Sequence, residues 1–165
     1  MTTIRRYRAE DWPALWPLLQ QTFATGDTYA FAPDSTEADI HTAWVEQPRA
    51  TYVACADDGA MLGTYILKSN QTGLGSHVCN CGYVVAPRAR GQGLASAMCG
   101  HSQDQAREFG YRSMQFNLVV STNEGAVRLW QKLGFAIVGT LPGAFRHAQH
   151  GYVDAHVMFK HLATG

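Results

Sequence analysis

Arginine and glycine are concentrated in one short stretch, Val84-Val85-Ala86-Pro87-Arg88-Ala89-Arg90-Gly91-Gln92-Gly93-Leu94-Ala95, lying between an apolar run and a helix-forming segment. That arrangement suits an anion. The first turn of a helix offers unpaired N–H groups at the positive end of the backbone dipole. Gly91 and Gly93 let the main chain approach the anion with no side chain in the way, and Arg88 and Arg90 add positive charge. Two familiar phosphate motifs do not fit. A dinucleotide fingerprint needs a third glycine where Ser96 stands and an acid where Arg112 and Ser113 stand. A P-loop needs a lysine after its glycines, and none occurs between Lys68 and Lys132. Spacing alone leaves two uses open for this loop, holding a phosphate or simply turning the chain.

Other residues are placed where chemistry is possible. Asn80 lies between Cys79 and Cys81 in an extended run, so it faces away from both thiols, and Asn117 stands likewise between Phe116 and Leu118. An amide in mid-strand must find partners if buried, either structural ones or a ligand. Residues 26–33 form a loop carrying Tyr29 and Phe31 as candidate pocket walls. Asp27 beside them is either a charge for an ammonium or a turn residue. Tyr152 and Asp154 fall near the start of the last strand, within reach of a pocket or an oligomer interface, and His77 is either a proton relay or a solvated strand-end residue. Cys79-x-Cys81 lacks the second ligand pair that a closed zinc site needs, so no metal is expected.

The elements that must position these residues can be read from periodicity. Residues 3–8 alternate as a strand. Asp11, as N-cap, precedes Trp12, Leu15, Trp16, Leu19 and Phe23 on one helix face, with Pro17 expected to kink or loosen the helix. A short helix from Asp34 turns Ile40, Ala43 and Trp44 inward. Strands follow at 51–56 and 61–68 around the Asp57-Asp58-Gly59 turn, and a third at 77–85. A helix over 91–109 leads to a strand at 113–120, with Met114, Phe116 and Leu118 on one face. The next helix, from Asn123, carries Ala126, Leu129, Trp130 and Leu133 and stops at Gly134. Two closing strands, 135–141 and 152–162, are expected around a loop at 142–151. The order β-α-α-β-β-β-α-β-α-β-β describes one α/β domain over residues 1–165.

Thirteen Lys and Arg balance thirteen Asp and Glu in 165 residues, which gives no electrostatic reason to expect nucleic acid or an anionic membrane as partner. The apolar runs are strand-sized, and the first residues carry no secretory pattern, so the cytoplasm is the expected compartment. Four cysteines are too few for a disulfide scaffold.

Arg88-x-x-Gly91-x-Gly93 resembles the Gln/Arg-x-x-Gly-x-Gly/Ala signature of the GNAT superfamily of N-acetyltransferases. The run from Asn123 through Ala126, Leu129 and Trp130 to Gly134-Phe135 resembles that family's second motif. The resemblance implies the GNAT fold, a mixed central sheet of about seven strands with four helices, and acetyl-CoA as co-substrate. By it, Val84 and Val85 pair with the pantetheine arm like an added strand. Arg88 lends charge, and Arg90, Gly91, Gly93, Leu94 and Ala95 hold the pyrophosphate. Asn123 hydrogen-bonds near the arm or serves as a plain N-cap, and Trp130 lies along the coenzyme or packs in the core. The family's habit implies direct attack by an amine, an oxyanion donor among the amides near Val84, and a homodimer.

Two departures from the family pattern matter. No Asp or Glu occurs between Asp58 and Asp104, so the usual glutamate base is missing, and Trp130 replaces the usual tyrosine acid. Asn80-Cys81-Gly82-Tyr83, Phe116-Asn117-Leu118-Val119 and the segment from Leu141 through Arg146-His147 to Asp154 resemble the branch that includes the azetidine-2-carboxylate acetyltransferases. That likeness implies catalytic and substrate-binding roles for Asn80 and Asn117 and a small amino- or imino-acid acceptor; Tyr29 and Phe31 are candidate substrate contacts because their loop often covers the substrate in GNAT enzymes, and Asp27 and Tyr152 are candidates by charge and position. The alternatives are a protein N-terminal or lysine acetyltransferase and a non-catalytic CoA-binding sensor.

Overall fold

The computed structural model describes residues 1–162. Alternating apolar residues form seven strands, β1 (Thr2–Arg6), β2 (Ala50–Ala56), β3 (Met61–Ser69), β4 (Val78–Val85), β5 (Ser113–Val120), β6 (Ala136–His147) and β7 (Gly151–His161). The helices are α1 (Trp12–Ala24), α2 (Glu37–His41), α3 (Leu94–Glu108) and α4 (Glu124–Lys132). One sheet runs β1-β2-β3-β4-β5-β7-β6, antiparallel throughout except between β4 and β5. This is the mixed seven-stranded, four-helix architecture expected from the sequence.

The parallel pair is short. β4 and β5 match only at Val78↔Ser113 and Cys79↔Met114, whereas β4 stays paired to β3 as far as Val85. Beyond Cys79 the sheet is therefore split between β4 and β5. One face carries the first two helices: a Cβ on Gly82 would meet Trp44 and Tyr29, each at 3.6 Å. The other face carries α3 and α4, where the Tyr83 hydroxyl hydrogen-bonds Ser102 and the Tyr83 ring lies 5.1 Å from Trp130.

Several local expectations give way to packing. Asp11 occupies the N-cap position of α1 as expected, but its side chain makes no cap bond to the helix. Its carboxylate instead accepts from the Arg8 N–H at 2.7 Å and from the Arg5 guanidinium at 2.9 and 2.8 Å, tying β1 to the entry of α1. α1 runs unbroken through Pro17, because burial of Leu15, Leu18, Leu19 and Phe23 outweighs one missing backbone bond. The short helix starts at Glu37, behind a Thr36 cap that accepts the Asp39 N–H, and relaxes into a π turn at Thr42–Glu46. α3 starts at Leu94 rather than Gly91, since Gly91 and Gly93 sit at φ +73° and +80°.

The largest differences concern bulges. Three steps on β5, Phe116 to Val119, oppose two on β7, Met158 to His156. The extra residue ends the expected alternation, so Val119 is buried and Leu118 leaves the Phe116 face. Most of the expected loop at 142–151 is strand. Leu141↔Ala155 and Phe145↔Val153 bracket a wide bulge that contains Pro142 and Gly143, and pairing resumes to His147↔Gly151. Proline is tolerated there because β6 is an edge strand.

Gly63 sits where β3, β4 and α3 meet. A Cβ at that position would lie 2.9 Å from the Val84 carbonyl oxygen and 3.1 Å from both Leu94 and Met98. Gly63→Ala is expected to cost about 1–3 kcal/mol in urea unfolding by forcing the start of α3 away from the sheet; unchanged stability would show that the contact gives way freely. The Arg5 guanidinium holds the Asp11 carboxyl below its ordinary value of 3.8, and the Asp11 side chain is only 12% exposed. A depressed folded value stabilises above the unfolded one, and that contribution is lost as the pH falls through the depressed value. Asp11→Asn should therefore cost about 1 kcal/mol at neutral pH and flatten the fall of stability below about pH 4, read by denaturant melts across pH.

Candidate functional site

The polar edge of β4 explains what the split can accept. The Ala86 N–H donates to the Leu62 carbonyl and the Val78 carbonyl accepts the Asn70 N–H, so even-numbered residues of β4 turn their main-chain groups to β3. Cys81, Tyr83 and Val85 therefore turn theirs the other way, toward the side that β5 has left. The Tyr83 carbonyl is capped by the Tyr29 hydroxyl, which leaves N–H groups at Tyr83 and Val85 facing the gap. An extended amide-bearing arm can add there as a strand. The main-chain groups of Val84 are engaged with Thr64 on β3, so the oxyanion donor expected near Val84 is narrowed to its neighbours. Val84 itself supplies a buried side chain beneath the gap.

At the end of β4, a 3-10 turn at Pro87–Ala89 leads into the arginine-glycine loop. The Arg90 N–H donates to the Pro87 carbonyl at 3.3 Å, so Arg90 does not offer its amide as expected. Among the described residues the N–H groups of Gly91, Gly93, Leu94 and Ala95 meet no main-chain acceptor, and the first helical bond to a flanking carbonyl runs from Ala97 to Gly93. Consecutive open amides at the start of α3 form a cradle that fits a diphosphate. Arg88 is anchored by donation from its guanidinium to the Met61 carbonyl at 3.2 Å, and it stays exposed beside the loop.

Asn80 and Asn117 do come together at the split. The Asn80 amide donates to the Gln115 carbonyl at 2.9 Å, bridging β4 and β5 just past their last paired residues. The Asn117 carbonyl accepts from the Gln115 side chain at 3.0 Å, and its NH₂ donates to Asn70 at 2.7 Å. Asn70 and Gln115 were not anticipated as parts of this amide network. Nothing in sequence spacing joins a loop residue to a strand 47 positions away.

On the same face lies a cavity of about 460 Å³, between residues 26–33 and the end of the β6–β7 hairpin. Tyr29 and Phe31 line it, as does Leu118, turned there by the β5 bulge, together with Phe145, Arg146 and His147. The last three were not singled out as site residues, although Phe-Arg-His would have placed Phe145 and His147 on one face had the segment been read as strand. Burial holds the Tyr29 hydroxyl well above the ordinary phenol range, so it remains a neutral donor to Tyr83. The Ala148 N–H donates to the Gly26 carbonyl at 3.0 Å, clasping the two walls together.

Three expected contacts fall elsewhere. Asp27 accepts the Thr25 hydroxyl at 2.5 Å and is absent from the cavity lining, which makes it a turn residue. Tyr152 is 75% exposed on the outer hairpin, because in the ladder it stands beside Arg146 on the face away from Phe145 and His147. Trp130 is packed in the core at 9% exposure, with Phe116 at 5.0 Å and Tyr83 at 5.1 Å, rather than laid open along a coenzyme path. Asn123 caps α4, its side chain accepting the Ala126 N–H at 3.4 Å. Asp154 is occupied by the Gly143 N–H.

The cradle depends on two left-handed glycines with no atom within 4 Å of a built Cβ, so substitution there changes conformation without a clash. Gly91→Ala and Gly93→Ala should each weaken acetyl-CoA binding by about tenfold, at a backbone cost of roughly 1–2 kcal/mol. Isothermal titration checks this, and an affinity unchanged from that of the original chain in both variants would remove the loop amides from the site.

Residues 10–135 match the sequence model of the acetyltransferase (GNAT) family. A GCN5-related N-acetyltransferase from Kribbella flavida is 41% identical and superposes with a TM-score of 0.92 over 98% of each chain. A GNAT superfamily phosphinothricin acetyltransferase from Sinorhizobium meliloti, solved in complex with AcCoA, has a TM-score of 0.86 over 99% of this chain and 90% of that one, and its 19% identity makes this a likeness of fold. N-acetyltransferase aca1 of Schizosaccharomyces pombe is 37% identical over 106 residues, 64% of this chain but only 51% of that protein, so the match spans about half of that relative's length. With the split sheet, the open-amide loop and the family match in agreement, the chain belongs to the acetyltransferase (GNAT) family and is an acetyl-CoA-dependent N-acetyltransferase domain.

Proposed function

We propose that this chain moves acetyl from acetyl-CoA to the amine of a small amino- or imino-acid-like molecule by direct attack. The observation that carries this reading is the cavity of about 460 Å³, which is the size of a small-molecule site and is walled by Tyr29, Phe31, Leu118 and Phe145. A polypeptide acceptor needs a groove open at both ends, whereas here the Ala148–Gly26 hydrogen bond joins the walls.

In the proposed reaction the diphosphate rests on the amides from Gly91 to Ala95, and the thioester arm adds along Tyr83 and Val85. The amine lone pair attacks the thioester carbon, the oxygen takes up negative charge, and an N–H on the free edge of β4 stabilises it. The carbon–sulfur bond then breaks, coenzyme A leaves as thiolate, and the amine proton passes to water. Among the described residues no acidic side chain lines the cavity, so orientation rather than a strong base carries the rate. Asn80 and Asn117 hold the acceptor side of the split: Asn80 keeps the gap open through Gln115, and Asn117 exchanges Asn70 for the substrate.

A panel of proline analogues, amino-acid-like herbicides, polyamines and short peptides, read by free thiol release, tests the assignment. Cyclic or α-substituted amino acids should react best. Asn117→Ala should lower kcat/KM on the best acceptor by about 10- to 100-fold, as for loss of one hydrogen bond to a charged group. Unchanged turnover on every accepted amine would remove Asn117 from the site, and turnover of peptides alone would overturn the small-molecule reading.

A further inference from the structure

Deepening that reading, and resting on it for the identity of the cavity, we propose that His147 is the hydrogen-bond donor that recognises the acidic group of the acceptor and so selects amines bearing a carboxylate. His147 is only 7% exposed, yet it lines the cavity. The alternation of β6 puts it on the same face as buried Phe145, while exposed Arg146 stands across from Tyr152.

Its ring is held from one side. Nδ1 accepts the Gln149 N–H at 3.0 Å and the His150 N–H at 3.2 Å. With the Ala148 N–H bound to Gly26, three successive amides of the hairpin end are satisfied, and two of them are spent on orienting this imidazole. A neutral imidazole carries one proton, and with the Nδ1 lone pair facing two donors that proton must sit on Nε2. Among the described residues Nε2 has no protein partner. No buried side-chain nitrogen or oxygen among the described residues lacks a partner, so the unpartnered Nε2 is open to solvent; an N–H there gains from an acceptor that the ligand brings, and an anionic oxygen is the strongest kind. Among the described residues no carboxylate lines the cavity to compete. The arrangement disfavours polyamines and favours an acceptor whose carboxylate lies at the hairpin end with its amine toward the split.

The test separates this donor from the acetyl-transfer reading. Long-range ¹H–¹⁵N spectra of the intact chain should show the His147 ring protonated at Nε2. Titration with N-acetylglycine, which has a carboxylate but no reactive amine, should shift those ring signals saturably. N-acetylglycinamide should shift them at least about tenfold more weakly, the scale of one charge-assisted hydrogen bond. His147→Asn keeps an acceptor for the Gln149 and His150 amides but removes the Nε2 donor. It should therefore fold normally and abolish the carboxylate preference, lowering kcat/KM for carboxylate-bearing amines by about 10- to 100-fold relative to matched amines without one. A ring protonated at Nδ1, equal response to the two probes, or an intact preference in His147→Asn would overturn the proposal. If no amine were acetylated at all, the enzymatic reading would fall while the probe titration still decided whether His147 binds carboxylate.

Discussion

The parting of β4 from β5 after Cys79↔Met114 is the constraint on which the rest of the molecule depends. A strand in mid-sheet that loses its neighbour exposes main-chain donors and acceptors, and such groups are costly unless paired. Here two of the carbonyls at the split are capped by side chains. Tyr29 caps the Tyr83 carbonyl, Asn80 caps the Gln115 carbonyl, and the amides left on the free edge of β4 are those an extended ligand can meet.

Both ends of that interruption are braced. At its base, Asn80 ties the two strands where they begin to part, and Tyr83 ties β4 to α3 through Ser102 while packing against Trp130. At its far end, the chain leaves β4 through a tight turn into α3, whose first residues press on Gly63. The cradle amides therefore cannot drift relative to the free edge of β4. In the proposed reading this one unit would hold the anionic and the amide-bearing parts of the same ligand in register.

The acceptor side is assembled differently, from segments far apart in sequence. The loop at 26–33 and the hairpin end at 144–148 meet over a bulge in β5, and one main-chain hydrogen bond, Ala148 to Gly26, closes the contact. Aromatic walls give the cavity shape with little charge. With no carboxylate in the lining among the described residues, the proposed chemistry there would rely on placement of the amine and on fixed dipoles, which need no reorganisation as charge develops.

Local sequence settled the features that local physics governs. Helix periodicity and turn residues were enough for the element order, and the two local motifs, Arg88 to Gly93 and Asn123 to Phe135, for the resemblance to the family, because each depends on residues within a few turns of one another. The Asp11 side chain, Leu118, Pro142 and Tyr152 were misplaced for the complementary reason. A salt bridge to another element, one extra residue in a ladder, or a wide bulge on an edge strand changes which way a side chain faces, and none of these leaves a periodic trace. His147 shows the division most clearly. Its residue type was visible from the start, but its burial, its fixed ring and its cavity exist only because two distant segments close on each other, and only tertiary contact could decide that.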